Sequence, residues 1–152
     1  PTRRRRQRQM CIRDRYFKVI QKSGLEFDAM YGPAYKGIPL ATAIGQLFYI
    51  EEKKKIELIF DRKEIKDHGE GGKLIGNISG KRILIIDDVL TAGTAIKETV
   101  EIIQHNNAKA VAAIVALDRM EKDSNSLTFK ENLEKNLSIP ILSITTFQDL
   151  KK

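Results

Sequence analysis

Residues 82–95 read RILIIDDVLTAGTA: an apolar run meets two adjacent carboxylates, Asp87 and Asp88, and a turn of small residues follows at once. Arg82 to Ile86 is apolar throughout its interior, as a central strand buried on both faces of a parallel sheet should be. The abrupt change predicts a strand that ends at Ile86, an acid pair at its tip, and a helix over Thr94 to Gln104.

Working outward from this stretch, strands and helices alternate. Tyr16 to Lys22 reads as the end of a helix, with Gly24 as its stop signal. Phe27 to Tyr31 is a short strand, followed by the loop GPAYKGIP (32–39). Pro39 to Ile50 has helical spacing, and Pro39 sits where its missing N–H does no harm. Ile56 to Phe60 is a strand. Residues 61–80, DRKEIKDHGEGGKLIGNISG, are polar, hold five glycines and show almost no core pattern. Ala110 to Leu117 is a strand and Leu127 to Leu137 a helix, capped by Ser124 or Ser126. Ile141 to Ile144 is a last strand, and Thr146 to Leu150 a short final helix. This alternation predicts an α/β fold, a central, mostly parallel sheet with helices on both faces.

At 152 residues the chain fits one domain. Its 41% hydrophobic and 31% charged residues are those of a soluble globular protein. No apolar run approaches the ~20 residues that cross a bilayer, so no membrane partner is expected. No secretory pattern is visible. The single cysteine, Cys11, excludes an internal disulfide framework and fits a cytoplasmic location. No Cys/His cluster has zinc spacing. The net charge of +7 suggests nucleic acid, but its placement argues otherwise. Residues 1–15, PTRRRRQRQMCIRDR, hold seven arginines and one aspartate, which leaves a nearly neutral body. The arm uses Arg where the body uses Lys. Residues 1–15 are therefore expected to be a non-native or disordered basic extension, and residues 16–152 the core.

In open parallel sheets, ligands bind beyond the carboxyl ends of the strands. Four unusual loops would share that rim here. Asp87 and Asp88 can accept hydrogen bonds from two vicinal hydroxyls, such as those of a ribose. Thr91, Ala92, Gly93 and Thr94 offer bare backbone N–H groups at a positive helix end, where a phosphate can approach closely. Together they match a ribose 5-phosphate. The run is neither GxGxxG nor a P-loop. A strand-end turn with aspartate caps is the plainer alternative. In GPAYKGIP, Gly32, Pro33 and Gly37 shape a loop whose exposed amides, with Lys36, suit a second anionic group such as pyrophosphate. Arg62, Lys63, Lys66 and His68 crowd four potential cations into seven residues beside Gly69, Gly71 and Gly72. Such a loop closes over polyphosphates and stabilises charge on a leaving group; a solvated hairpin would look similar. His105, at a helix end, reads as a capping or surface group.

The DDVLTAGTA run resembles the phosphoribosyl diphosphate (PRPP) motif of type I phosphoribosyltransferases. GPAYKGIP, DRKEIKDHGEGG and LDRME (117–121), in the same order, resemble the orotate-using members of that family. The resemblance runs from about Tyr16 to the C-terminus and implies the type I phosphoribosyltransferase fold. It implies that Asp87 and Asp88 hold the ribose hydroxyls, and that Val89, Leu90, Thr91, Ala92, Gly93, Thr94 and Ala95 complete the PRPP motif, with Thr91 to Ala95 around the 5-phosphate. Tyr35 and Lys36 fall in the pyrophosphate loop; Arg62, Lys63, Lys66 and His68 fall on a catalytic loop shared between subunits of a homodimer. Arg119, with Thr91, faces orotate. Lys66, His68 and Asp88 are the catalytic candidates. Mg2+ rides on PRPP oxygens, with no protein metal site.

What the resemblance implies is transfer of the 5-phosphoribosyl group from PRPP to orotate in pyrimidine synthesis, giving orotidine 5′-monophosphate and pyrophosphate. The family carries an N-terminal segment that helps close over orotate; the arginine arm stands in its place here, so a truncated core is expected. Two rivals stay open: a phosphoribosyltransferase for another base, and a PRPP-sensing, nucleic-acid-binding regulator on the same fold. The intact basic loop argues against the regulator.

Overall fold

The computed structural model describes residues 2–62, 74–122 and 126–151 (backbone only for 2–11). In chain order it forms α1 (Thr2–Ser23), β1 (Ala29–Tyr31), α2 (Gly37–Glu52), β2 (Glu57–Asp61), β3 (Leu74–Ile75), β4 (Arg82–Leu90), α3 (Thr94–His105), β5 (Lys109–Asp118), α4 (Phe129–Leu137), β6 (Ile141–Thr146) and a 3-10 turn at Asp149–Lys151. One sheet has the order β3-β2-β1-β4-β5-β6. All neighbours are parallel except β3, which pairs antiparallel with β2. The expected helix-flanked, mostly parallel α/β architecture is the one observed. Among the described residues no helix is long and apolar enough to cross a membrane.

The period-two alternation of the central strands divides the core into two layers. Ile83 and Ile85 of β4, with Ala29 and Tyr31 of β1, pack under α3 and α4 against Ile96, Val100, Ile103 and Leu133. Leu84, Ile86 and Met30 face the other way, against Tyr16, Phe17 and Ile20 of α1 and Ala41, Ile44 and Phe48 of α2. Phe17 and Phe48 meet edge to face at 4.7 Å between ring centroids, joining α1 to α2. Ile83 to Ile86 are all fully buried. Truncating one of them, Ile85→Ala, removes contacts that nothing else fills and costs about 2–5 kcal/mol. At the amino end, Arg82 holds Asp28 at 2.9 Å and Glu26 at 2.7 Å, which fixes β1 beside β4.

Three sequence expectations need correction. β4 does not stop at Ile86: pairing with β5 continues to Leu90↔Asp118, so the acid pair lies inside the last part of the strand. Residues 61–80 are not without core: Leu74 and Ile75 form β3, and Ile78 is buried. α4 begins at Phe129, and its cap is Thr128, whose hydroxyl accepts from Glu131 N–H while the Glu131 carboxylate accepts from Thr128 N–H. That reciprocal pair outcompetes Ser126; Ser124 lies outside the described residues. The helix before β1 ends where its apolar pattern and Gly24 place its end. Residues 2–15 have helical backbone continuous with Tyr16–Ser23, and α1 ends where Gly24 takes φ +64°.

Candidate functional site

β1 leads leftward to β2 and β4 leads rightward to β5, so the crevice beyond their carboxyl ends is the topological switch point of the sheet. The loop after β1 turns back on itself there. A Cβ on Gly32 would lie 2.5 Å from the Gly37 carbonyl oxygen, and one on Gly37 would lie 2.7 Å from the Ile86 carbonyl oxygen. Only glycine at both positions lets the loop close on itself and rest on β4 just before the acids. The Gly32 N–H donates to the Ile59 carbonyl at 2.9 Å. The Ala34 N–H donates to Asp61 Oδ1 at 3.0 Å, which ties this loop to the end of β2. The Ala34–Tyr35 peptide is cis.

That closure delivers Lys36 to the acid pair. Its Nζ lies 3.0 Å from Asp88 Oδ2, although the lysine side chain is largely exposed. Hydrogen bonding and charge attraction from Asp88 raise the Lys36 pKa, so the ammonium is firmly charged. Both carboxylates fold forward over the chain: the Asp88 N–H donates to Asp87 Oδ1 at 2.9 Å and the Val89 N–H donates to Asp88 Oδ1 at 3.0 Å. Burial, reinforced by the negative charge of Asp88, pushes Asp87 up to about 6; the Asp88 N–H and Lys36 offset part of this. Among the described residues, Lys36 is the one side chain ion-paired with either half-buried carboxylate, through Asp88, and carboxylate oxygens can accept further donors. A vicinal diol supplies two.

The turn that follows is bare. Thr91 and Ala92 are exposed, and Gly93 is buried in the left-handed region at φ +76° as the N-cap of α3. A Cβ there would lie 2.0 Å from Leu133 Cδ1, so α4 packs onto the turn and holds it. Thr94 and Ala95 are exposed in the first helical turn, whose leading amides lack intrahelical acceptors. An anion seated there meets N–H groups and the positive end of the helix.

On the far side, Asp118 ends β5. It is buried, and its Oδ1 accepts from the Met120 N–H at 2.8 Å, which makes a tight turn with Met120 at φ +54°. The turn presents Arg119 at the rim. Its N–H donates to the Leu90 carbonyl at 3.3 Å, and its guanidinium holds Glu121 at 2.8 Å, half-exposed. Arg119 is thus already posed to grip a carboxylate.

The expected residues Tyr35, Lys36, Asp87, Asp88, Val89, Leu90, Thr91 to Ala95 and Arg119 lie on this one rim, at the ends of β1, β4 and β5. Tyr35 is exposed, and Leu90 is a buried core residue whose carbonyl, not its side chain, serves the site. Arg62 follows directly on Asp61 at the end of β2. Lys63, Lys66 and His68 lie outside the described residues. His105 Nδ1 sits 2.8 Å from the Glu101 carbonyl, on the helix end where it was expected as a cap. Sequence reasoning missed three residues. Asp61 ties two loops, Glu121 holds Arg119, and Tyr16 reaches the Asp87 carbonyl with its hydroxyl at 2.5 Å. Only Glu121, two residues from Arg119, left a sequence signal.

The phosphoribosyl transferase domain family matches residues 6–140. The orotate phosphoribosyltransferase of Pasteurella multocida (strain Pm70) is 46% identical over 136 residues, which cover 89% of this chain and 63% of that protein. The chain therefore spans less than two thirds of that relative's length. The crystal structure of orotate phosphoribosyltransferase from Francisella tularensis superposes with a TM-score of 0.82 at 34% identity, covering 93% of this chain and 68% of that one. The Mycobacterium tuberculosis orotate phosphoribosyltransferase in complex with PRPP has a TM-score of 0.68 at 19% identity, over 88% of this chain and 72% of that one, and so shares the fold. With a family match that begins inside α1 and runs to the edge of β6, the chain belongs to the phosphoribosyl transferase domain family, among its orotate phosphoribosyltransferases.

Proposed function

We propose that the chain transfers the 5-phosphoribosyl group of PRPP to orotate, releasing pyrophosphate and forming orotidine 5′-monophosphate. The observation that carries this is the pairing of Asp87 and Asp88 with the bare Thr91–Gly93 turn at the switch point, three to six residues apart on one continuous strand and turn. The aspartates accept the two ribose hydroxyls, and the amides of Thr91 to Ala95 hold the 5-phosphate. Lys36, with Tyr35 beside it, reaches from the β1 loop toward the pyrophosphate side. It exchanges its contact with Asp88 for the ligand when the diol takes over that carboxylate. Arg119 exchanges Glu121 for the carboxylate of orotate, which a planar guanidinium can grip in two-pronged fashion. Arg62, Lys63, Lys66 and His68 supply positive charge to the departing pyrophosphate, with Lys66 and His68 as the principal groups. Asp88 steadies the positive charge that grows on the sugar as the bond to pyrophosphate breaks. No protein nucleophile is required; positioning and charge stabilisation carry the rate.

Among the described residues no three His, Cys, Asp or Glu side chains gather as a metal cage. The local donor set, the adjacent carboxylates Asp87 and Asp88, fits a hard cation brought with PRPP. Mg2+ so held would neutralise charge on the leaving group. A homodimer, with the basic loop shared between subunits as the resemblance implies, is part of the proposal.

The test is release of pyrophosphate from PRPP with Mg2+ and either orotate, uracil, adenine or hypoxanthine. Orotate-dependent release, lost in Lys66→Ala, is expected. Release with another base alone would assign the chain to a different branch, and none with any base would sink the enzymatic proposal.

A further inference from the structure

We propose that Tyr16 of α1 is a positioning residue for the acid pair, acting through the backbone of Asp87. The proposal rests on the reading of Asp87 and Asp88 as the ribose-binding carboxylates. Tyr16 has no exposed surface, and its hydroxyl donates to the Asp87 carbonyl oxygen at 2.5 Å, across 71 residues of chain. The Ala116 N–H of β5 faces the same phenol oxygen. The hydroxyl therefore sits between β4 and β5 at the level of the acids.

The β4–β5 pairing runs through the acid pair in one register, from Asp87↔Val115 to Val89↔Leu117 and Leu90↔Asp118. Buried backbone groups at this level need partners. Three of them have side-chain partners: the Asp87 carbonyl takes the Tyr16 hydroxyl, the Asp88 N–H takes Asp87 Oδ1, and the Val89 N–H takes Asp88 Oδ1. The three bonds form one chain, and Tyr16 is its only member from outside the strand. Without the hydroxyl, the Asp87 carbonyl is left unpaired in a buried place or closes onto β5. Closing onto β5 rotates the Asp87–Asp88 peptide and carries both carboxylates with it. The acids then no longer meet the two hydroxyls at once.

The test measures PRPP binding by titration calorimetry in the wild-type chain, Tyr16→Phe, Asp87→Asn and the double variant. Tyr16→Phe keeps the ring and loses one hydrogen bond, so PRPP binding should weaken about three- to tenfold. In the Asp87→Asn background the same change should weaken binding distinctly less, by under about threefold, because only Asp88 remains as a charged acid for Tyr16 to position. A merely structural tyrosine would weaken binding equally in both backgrounds, and that result overturns the proposal. So does unchanged binding in Tyr16→Phe. If the variant is partly unfolded, affinity is expressed per folded molecule from circular dichroism at the same temperature, and the same two comparisons decide. A wild-type chain that binds no PRPP overturns the functional proposal together with this one; wild-type binding with an indifferent Tyr16→Phe overturns this one alone.

Discussion

Asp87→Asn should make the chain more stable and less able to bind. Burial and the neighbouring Asp88 raise Asp87 from the usual carboxylate value of 3.8 to about 6. A raised carboxylate binds its proton more tightly when folded than when unfolded. Below about pH 4 both states are protonated and no penalty exists. As pH rises from about 4 to about 6 the unfolded chain gives up its proton first, so stability falls. Above about 6 the full penalty stays. A shift of about two units at ~1.4 kcal/mol each sets an upper bound of about 3 kcal/mol. Asp87 is only partly buried, so water screens some of this, and about 1–3 kcal/mol is the expected gain on removing the charge. The amide oxygen that replaces Oδ1 in the Asp87→Asn variant can still accept the Asp88 N–H, which isolates the charge as the variable. For a chain of this length the gain is about 3–10 °C in Tm at pH 7.5, shrinking toward zero by pH 4. Calorimetric melting of both proteins across that range is the assay. An Asp87→Asn chain no more stable at pH 7.5, or one whose advantage persists at pH 4, would refute the account of Asp87 as a strained, ionised acid.

Because an ionised carboxylate accepts a diol's hydrogen bonds more strongly than its protonated form does, PRPP affinity in the wild type should fall as pH drops below about 6. The part of that fall owed to the protein should vanish in Asp87→Asn, read by calorimetric titration at several pH values. Gly93→Ala places a methyl group 2.0 Å from Leu133 Cδ1 in a left-handed residue, and should cost about 1–3 kcal/mol in urea unfolding, with partial recovery in Gly93→Ala/Leu133→Ala. Thr128→Ala removes the hydroxyl half of the α4 capping pair and should lower stability by about 1 kcal/mol with no change in PRPP affinity.

Much of the rim was legible because its signals are local. An apolar run that stops at two acids, a threonine–glycine turn before a helical period and two glycines bracketing Lys36 each announce themselves within ten residues. Boundaries were less legible. Asp87 to Leu90 look like a loop by composition, yet β5 offers pairing partners as far as Asp118, and backbone pairing overrides the polarity of two side chains. β3 was invisible because a two-residue antiparallel pairing leaves no period to detect.

The sequence by itself determined the order of strands and helices apart from β3, their two-sided burial and the residue types at the carboxyl rim, because period and turn chemistry act between near neighbours. Only the tertiary structure decided that Lys36 meets Asp88, that Gly32 and Gly37 close against each other and β4, and that Tyr16 holds the Asp87 carbonyl. These contacts depend on strand register and helix docking between distant segments. The same burial that brings them together removes the water that would otherwise keep Asp87 an ordinary acid.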